Sequence, residues 1–362
     1  MDANPDNTPI FRRVHDEEDE EASSDGADVF VLGVTVNKPN TRFAIIFYEP
    51  ETQTEIVRLW TVLSKEVLWE KKSTRTDDKD VQIFISPTFT DDGQWMGHYY
   101  EGRVEVVDAR SGQTMDLISL TKHRSKLDST WNPDAFEPTA IALANNRKRI
   151  AAAATSPTQP DYATSLAVGI FDQGENRTCQ VDVVWTTKLD NVGLVYMMNG
   201  RLLFAAGKLD YWKNQWGCCW DTKTRSQLFV IKIIEHGYYD SFRGTPIYTT
   251  IFSKEPCVIM RLAYPQSHRP SGLKVYSRRG VCLVDTLGDQ MAVHTITHNG
   301  VLSLNSDSSL QFWGDGKNGL KVATLADENF PDFFEVKGMS VTEYQITLIM
   351  DDERFIVFKK DP

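Results

Sequence analysis

Two adjacent cysteines, Cys218 and Cys219, stand in the stretch Gln-Trp-Gly-Cys-Cys-Trp-Asp that ends at Asp221. Such a pair is compatible with a thiol redox centre, with a metal site, or with one strand of a repeated β fold. Neighbouring residues on a strand point to opposite faces, so the two thiols cannot readily bind one ion. The sequence also lacks a Cys-x-x-Cys pair and a His/Cys cluster with ligand spacing. We therefore predict no metal site and no cofactor, and we interpret both cysteines as small packing residues.

A second group with chemical potential lies in two loop-like stretches, Glu-His-Gly-Tyr-Tyr-Asp-Ser-Phe-Arg-Gly and Tyr-Pro-Gln-Ser-His-Arg-Pro-Ser. The first holds His236, Asp240 and Arg243, and the second holds His268 and Arg269. These residue types can supply a general acid or base and an electrostatic clamp. The competing interpretation, which we favour, is a solvated loop whose arginine contacts a partner. No phosphate-binding loop before a helix and no Gly-x-Ser-x-Gly elbow accompanies them.

The charge of the chain is concentrated at its N-terminus. The net charge is −11, and residues 1–28 hold ten acidic residues against Arg12 and Arg13, which leaves the remainder at −3. A nearly neutral body without a long basic run argues against direct binding to nucleic acid, which depends on neutralising phosphates. We interpret the triplet Arg147-Lys148-Arg149 as a solvated turn.

The composition indicates a globular protein. Hydrophobic residues make up 41% of the 362, and 18 Phe, 12 Tyr and 9 Trp can fill a large core. No window reaches the about 18 apolar residues of a membrane span, so we predict no membrane association. Five cysteines, an odd number, fit a reducing compartment better than a disulfide framework. With no secretory signal recognised, the prediction is a cytoplasmic or nuclear protein.

The chain divides into an acidic arm and one large domain. Residues 15–28 combine acidic with small polar residues, and this composition predicts a largely disordered N-terminal arm over 1–28. From residue 29 to 362, short β-branched and aromatic runs alternate with Gly, Asn, Asp and Pro clusters. We predict a single all-β domain over 29–362.

The predicted strands fall into groups. Six quartets and a final trio recur every about 45–55 residues, which is typical of a propeller whose blades are four-stranded antiparallel sheets. The fold predicted is therefore a seven-bladed β-propeller. A trio leaves an open edge, and native folds cover open edges. Residues 9–14, Pro-Ile-Phe-Arg-Arg-Val, are predicted to add the outer strand of the last blade and close the ring.

The second quartet carries a family resemblance. From Phe84 to Leu120 it shows a strand, an Asp-Gly turn, two strands of which the second ends at an aspartate, a Ser-Gly turn and a strand. Other third strands end similarly, at Asp172, at Asp221 and near Asp315. The chain thus resembles the WD40-like repeat propellers, as a divergent member. The Gly-His pair that usually opens such repeats is absent from its expected positions, because Gly97-His98 falls inside a predicted second strand. The resemblance implies a scaffold for protein complexes.

Loop lengths separate two faces of the predicted propeller. Antiparallel order places the loops between strands one and two, and three and four, on one face, and these are short. The opposite, long-loop face takes Lys71–Asp80, Thr121–Pro138, Thr155–Thr164, Lys208–Asn214, Glu235–Pro246, Tyr264–Gly272 and Ala326–Phe333. We predict that the binding residues are aromatic and basic side chains of these loops, namely Trp131, Tyr162, Tyr211, Trp212, Tyr238, Tyr239, Phe242, Arg243, His268 and Arg269.

Two functions remain open at this point. The favoured one is a non-enzymatic scaffold that binds a protein or peptide on the long-loop face, with the acidic arm available for regulation or for a basic partner. The alternative is an enzyme that acts on a small molecule in the central funnel, as a hydrolase, an isomerase or a natural-product cyclase or pericyclase. His236, Asp240, Arg243 and His268 are its candidate catalytic residues.

Overall fold

Strands make up all of the regular secondary structure that the computed structural model describes. It describes residues 9–14, 29–74, 85–100, 102–120, 138–155, 166–173, 179–187, 189–209, 214–235, 247–252, 255–262, 272–285, 291–297, 300–305, 307–314, 317–326, 335–350 and 354–360. The all-β class predicted from the sequence is confirmed for these residues.

Five sheets of four consecutive antiparallel strands follow one another along the described chain, and we call them blades 1 to 5. Blade 1 contains β2 (Phe30–Val36), β3 (Arg42–Glu49), β4 (Thr54–Thr61) and β5 (Val67–Thr74). Blade 2 contains β6 (Thr88–Phe89), β7 (Trp95–Tyr100), β8 (Arg103–Asp108) and β9 (Thr114–Ser119). Blade 3 contains β10 (Pro138–Leu143), β11 (Arg149–Thr155), β12 (Leu166–Gln173) and β13 (Cys179–Thr187). Blade 4 contains β14 (Leu189–Met197), β15 (Leu202–Leu209), β16 (Asn214–Asp221) and β17 (Ser226–Glu235). Blade 5 contains β18 (Ile247–Phe252), β19 (Glu255–Leu262), β20 (Gly272–Ser277) and β21 (Cys282–Asp285).

The remaining strands form one eight-stranded sheet that includes the N-terminal strand. One part of it contains β22 (Met291–Thr297), β23 (Gly300–Asn305), β24 (Ser309–Gly314) and β25 (Lys317–Ala326). The other part contains β26 (Val336–Val341), β27 (Gln345–Met350) and β28 (Phe355–Lys360). The N-terminal β1 (Ile10–Val14) lies between them, antiparallel to β28 and parallel to β25. Phe11 of β1 is buried against Leu304, Leu325 and Phe358 from both parts.

The hydrophobic cores lie between neighbouring sheets. Trp220 of blade 4 packs with Ala142 and Ala151 of blade 3, and Phe204 of blade 4 packs with Val258 of blade 5. The first strands of successive sheets contact one another in chain order, and β26 contacts β2. The sheets therefore stand around a central axis, which is the arrangement of an antiparallel-bladed β-propeller.

Two predictions of where strands lie were wrong. Residues 85–87, predicted to belong to the first strand of the second quartet, are irregular, because Pro87 has no N–H to donate to the ladder; the described strand is Thr88–Phe89. The loop predicted to begin at Lys71 starts later, because β5 continues to Thr74. Lys71 therefore belongs to a strand, and this position becomes important below.

Phe11 provides a test of how much β1 contributes to stability. We expect Phe11→Ala to lower the free energy of unfolding by about 3–5 kcal/mol, because its ring is buried between two parts of the sheet. Ile10→Ala is the matched control in the same strand, since Ile10 is 41% exposed, and we expect a loss of about 1 kcal/mol or less. Equal losses in urea denaturation would contradict the observed packing of β1.

Candidate functional site

The long connections are attached to one face of the propeller. Three of them join strand ends that pair directly: Thr155 with Leu166, Leu209 with Asn214, and Leu262 with Gly272. A connection between paired residues begins and ends at the same edge of its blade. The connections from a fourth strand to the next first strand leave from that same edge, because the strands alternate in direction. The attachment points of the predicted long-loop face therefore lie together.

The predicted site residues lie in these connections and outside the described residues. They are the predicted binding residues Trp131, Tyr162, Tyr211, Trp212, Tyr238, Tyr239, Phe242, Arg243, His268 and Arg269, and the candidate catalytic residues His236 and Asp240. Tyr211 follows the strand end Leu209 by two residues, and Trp212 precedes its paired strand end, Asn214, by two residues. Their side-chain arrangement stays a prediction.

The opposite, short-turn face is built from turns that aspartates hold in shape. Asp221 Oδ1 accepts hydrogen bonds from the backbone N–H groups of Lys223 and Thr224, at 2.9 and 3.0 Å. Asp108 Oδ1 accepts equivalent bonds from Arg110 and Ser111, at 2.8 and 2.9 Å. The pKa of the Asp221 carboxyl is lowered, mainly by the hydrogen bond from the backbone N–H of Thr224. The aspartate that ends a third strand therefore has an architectural role in blades 2 and 4.

The two cysteines next to this aspartate are separated by the blade itself. Cys218 packs with Trp220 in the core shared with blade 3, and Cys219 packs with Phe204 in the core shared with blade 5. Burial raises the pKa of Cys218 to about 11 and that of Cys219 to about 12. A reactive or metal-binding cysteine needs a lowered pKa, so both thiols are packing residues. In the described part of the chain, no group of three or more His, Cys, Asp or Glu residues could hold a metal ion.

A buried titratable cluster joins blades 1 and 2. His98 of β7 is only 1% exposed and pairs across the ladder with Glu105 of β8. Glu105 Oε2 lies 3.4 Å from Nζ of Lys71 on β5 of the neighbouring blade, and Glu105 Oε1 accepts a 2.6 Å hydrogen bond from Thr114. The Trp69 ring meets the His98 ring edge-on, with 5.7 Å between centroids.

The chemistry of this cluster is structural. Desolvation is the main cause that lowers the pKa of His98 from 6.5 to about 4, so the imidazole is neutral at neutral pH. Among the described residues its Nδ1 has no hydrogen-bond partner. A buried imidazole that holds its proton this weakly is a poor general acid or base for a substrate. The ion pair between Lys71 and Glu105 instead links the outer strand of blade 1 to blade 2.

Sequence reasoning missed this cluster. Lys71 was assigned to a loop, and Glu105 occupies an alternate position of β8 that would face solvent in a sheet with one wet face. Blade strands are buried on both faces, so the alternation of apolar and polar residues gave no signal. The unusual feature in the sequence was a glutamate inside the run Val-Glu-Val-Val.

Similarity to solved structures extends over nearly the whole chain at low sequence identity. Hydrazine synthase from Kuenenia stuttgartiensis matches with a TM-score of 0.50 and 11% identity, over 94% of this chain and 98% of that chain. The Dos1 propeller matches with a TM-score of 0.47 and 11% identity, over 91% and 77%. The RRP9 WD40 repeats match with a TM-score of 0.48 and 10% identity, over 98% and 99%. No protein-family model and no curated protein sequence matches the chain.

The described fold is an antiparallel-bladed β-propeller. The antiparallel order of its blades and its aspartate-held turns carry this conclusion. Blade 2, on which the resemblance was strongest, has the predicted order of strands, and Gly97-His98 lies inside its second strand. His98 therefore serves the buried cluster and not the opening of a repeat. The described residues include no helix of the length and apolarity that crossing a membrane requires.

A polar contact joins distant parts of the chain near the short-turn face. Asn40 lies in the first turn of blade 1 and is 4% exposed. Its Oδ1 accepts a 2.8 Å hydrogen bond from Thr295 of β22, and its backbone carbonyl accepts a 3.4 Å bond from Ser340 of β26. Because β22 and β26 belong to the eight-stranded sheet, these bonds tie blade 1 to that sheet.

The pKa of His98 generates a prediction for stability as a function of pH. Between pH 6.5 and about 4 the unfolded chain binds a proton at this histidine more readily than the folded chain does. The free energy of unfolding therefore falls as the pH is lowered through this window, by about 3 kcal/mol from this group in full. In the His98→Phe variant we expect the free energy of unfolding to lose this part of its pH dependence, as measured by denaturation between pH 7 and 4. An identical pH dependence in the two proteins, or an NMR-measured pKa near 6.5, would contradict the burial of the imidazole.

Proposed function

We propose that this chain is a seven-bladed WD40-like propeller, closed by its N-terminal strand, that acts as a protein–protein interaction scaffold through its long-loop face. In this proposal residues 29–362 form the propeller, and residues 1–28 form an acidic arm from which β1 is contributed.

The pairing of β1 supports the number of blades. In the eight-stranded sheet, β22–β25 form a complete quartet and β26–β28 form a trio. With β1 counted as the outer strand beside β28, the trio becomes a seventh blade of the same composition as the others. An aromatic cluster supports closure between this part and blade 1: the Phe355 centroid lies 5.4 Å from that of Phe43 and 5.3 Å from that of Trp60.

The observation that carries the functional proposal is the difference between the two faces. The turns of the short-turn face are held by side-chain caps such as Asp108 and Asp221, and they leave little chain to adapt to a partner. The paired ends Thr155–Leu166, Leu209–Asn214 and Leu262–Gly272 anchor long connections on a rigid base at the other face. Long loops on a rigid scaffold are the usual place of recognition.

The residue types of the long connections favour a protein or peptide as the partner. Tyr211, Trp212 and Arg243 belong to the classes that dominate protein interfaces, because they bury a large area with few rotors and keep a polar group. The other members of the proposed surface are Trp131, Tyr162, Tyr238, Tyr239, Phe242, His268 and Arg269.

The state of the cysteines supports a cytoplasmic or nuclear location. Cys218 and Cys219 are buried thiols that form no disulfide bond. Thiols that are kept reduced are typical of reducing compartments.

Alanine substitution on the two faces tests the scaffold against the enzyme. We expect Trp212→Ala and Arg243→Ala each to reduce partner capture from source-cell extract at least about tenfold, as the loss of an interface hot spot does. The matched controls lie on the short-turn face: Tyr344→Ala, whose side chain is 67% exposed, and Arg110→Ala, which is also exposed. Both controls should retain capture.

The opposite outcome identifies the alternative. If capture survives Trp212→Ala and Arg243→Ala while His236→Ala or His268→Ala abolishes turnover of a metabolite found in the same extract, the scaffold proposal is wrong. The chain would then act as an enzyme on a small molecule in the funnel.

A further inference from the structure

We propose that the short-turn face carries a second binding surface, which takes an acidic peptide segment of a partner protein. The surface, called here the basic sector, spans the described short turns of blades 3 to 5. It consists of Arg147, Lys148, Arg149, Arg201, Lys223, Arg225, Arg278 and Arg279.

The charge of these turns differs sharply from that of the whole chain. Their described residues are 144–149, 198–201, 221–226 and 277–281, and they hold eight Lys and Arg residues with Asp221 as the one carboxylate. The sector thus has a large local positive charge in a protein whose net charge is −11.

The cations are presented on turns of fixed shape. Asn146 Oδ1 accepts hydrogen bonds from the backbone N–H groups of Lys148 and Arg149. In blade 4 Asp221 accepts the bonds from Lys223 and Thr224, and in blade 5 Ser277 Oγ accepts bonds from Arg279 and Val281. Side chains on such turns lose little backbone entropy when they bind, which strengthens a purely electrostatic surface.

Contacts between blades make the sector continuous. Asn145 Nδ2 donates to Asn199 Oδ1 at 2.8 Å, and Arg149 Nη1 donates to Thr222 Oγ1 at 3.4 Å, so the turns of blades 3 and 4 touch. Gly280, between Arg279 and Val281, fits closely against Phe229 of blade 4, where a Cβ would approach the ring to 2.9 Å. Lys148, Arg201, Lys223, Arg225 and Arg279 are exposed along this path.

The adjoining part of the same face is electrically balanced. In blades 1 and 2 the short turns and the strand ends beside them hold four cations, Lys38, Arg42, Lys65 and Arg110, together with four carboxylates, Glu66, Asp91, Asp92 and Asp108. Lys38 Nζ lies 2.8 Å from Asp91 Oδ1 in an ion pair that bridges the two blades. On the side of blades 1 and 2, the excess positive charge therefore ends at blade 3.

This limit favours a short acidic peptide over a nucleic acid. A nucleic acid that followed the face beyond blade 3 would meet the carboxylates of Asp91, Asp92 and Asp108, which repel its phosphates. A run of a few Asp, Glu or phosphorylated side chains ends before it reaches those carboxylates. Arginine forks and lysine ammonium groups both bind carboxylate oxygens, and screening by salt weakens this binding.

A charge-reversal pair with a matched control tests the proposal, and the probe is a fluorescein-labelled peptide of ten glutamates. We expect the unaltered protein to bind it at low salt and to lose affinity as salt is added. The double variant Lys148→Glu with Lys223→Glu should bind at least about tenfold more weakly, and its salt dependence should be shallower. The control Lys65→Glu with Arg110→Glu changes the net charge by the same amount on the same face and should change affinity less than about twofold.

Further measurements keep the result interpretable. The double variant should retain the melting temperature of the unaltered protein, and Lys148→Arg with Lys223→Arg should retain binding. Trp212→Ala should leave peptide binding unchanged, so failure of the long-loop proposal and failure of this one are distinguishable. Equal losses in the two charge-reversal variants, tighter binding of a ten-nucleotide RNA than of the peptide, or capture of the sector by a second copy of the chain would each overturn the proposal.

Discussion

Antiparallel pairing of consecutive strands is the constraint on which the rest of this structure depends. Because each strand reverses the direction of the one before, all first-to-second and third-to-fourth turns emerge on one face of a blade, and all other connections emerge on the opposite face. The connections on the two faces then differ in length. The short-turn face carries compact turns held by Asn146, Asp108 and Asp221, whereas the long connections are attached opposite. Two surfaces of different character follow from a single rule of pairing.

Packing between blades places a second demand on the sequence. A blade in the ring is covered on both sides, so polar residues inside it need partners. Glu105 is paired with Lys71 and accepts a hydrogen bond from Thr114. Burial lowers the pKa of His98 to about 4, so its imidazole is neutral inside the blade. In blade 4 the two sides are filled by small residues. Cys218 packs in the core shared with blade 3, and Cys219 packs in the core shared with blade 5. Their adjacency reflects the opposite faces of one strand.

Most of the fold was predictable because propeller strands are short and end at turn-forming residues. A third strand was predicted to end at Asp221, and β16 ends there. The N-terminal Pro-Ile-Phe-Arg-Arg-Val was predicted to pair at the outer edge of the last trio, and β1 lies beside β28. Its simultaneous parallel pairing with β25 was not predicted, since contacts between residues 10 and 324 leave no local trace in the sequence.

The two proposed binding surfaces were predictable to different degrees. Aromatic residues such as Trp212 are conspicuous in a loop-like stretch, and their attachment to one face follows from strand order alone. The basic sector was hidden, because its cations come from four separate turns and each turn resembles an ordinary solvated loop. The triplet Arg147-Lys148-Arg149 was interpreted in that way, and its link to the next blade, the hydrogen bond from Arg149 to Thr222, is visible only in the structure.

Site-specific photo-crosslinking tests the central claim, recognition of a protein by the long-loop face, most directly. A photoreactive phenylalanine derivative would replace Trp212 in one protein and Tyr344 in another, and both would be irradiated in source cells. The account predicts discrete crosslinked products of higher mass from position 212 and none from position 344. Crosslinks from position 344 alone, or no protein crosslink from position 212 when the unaltered protein captures a partner, would contradict it.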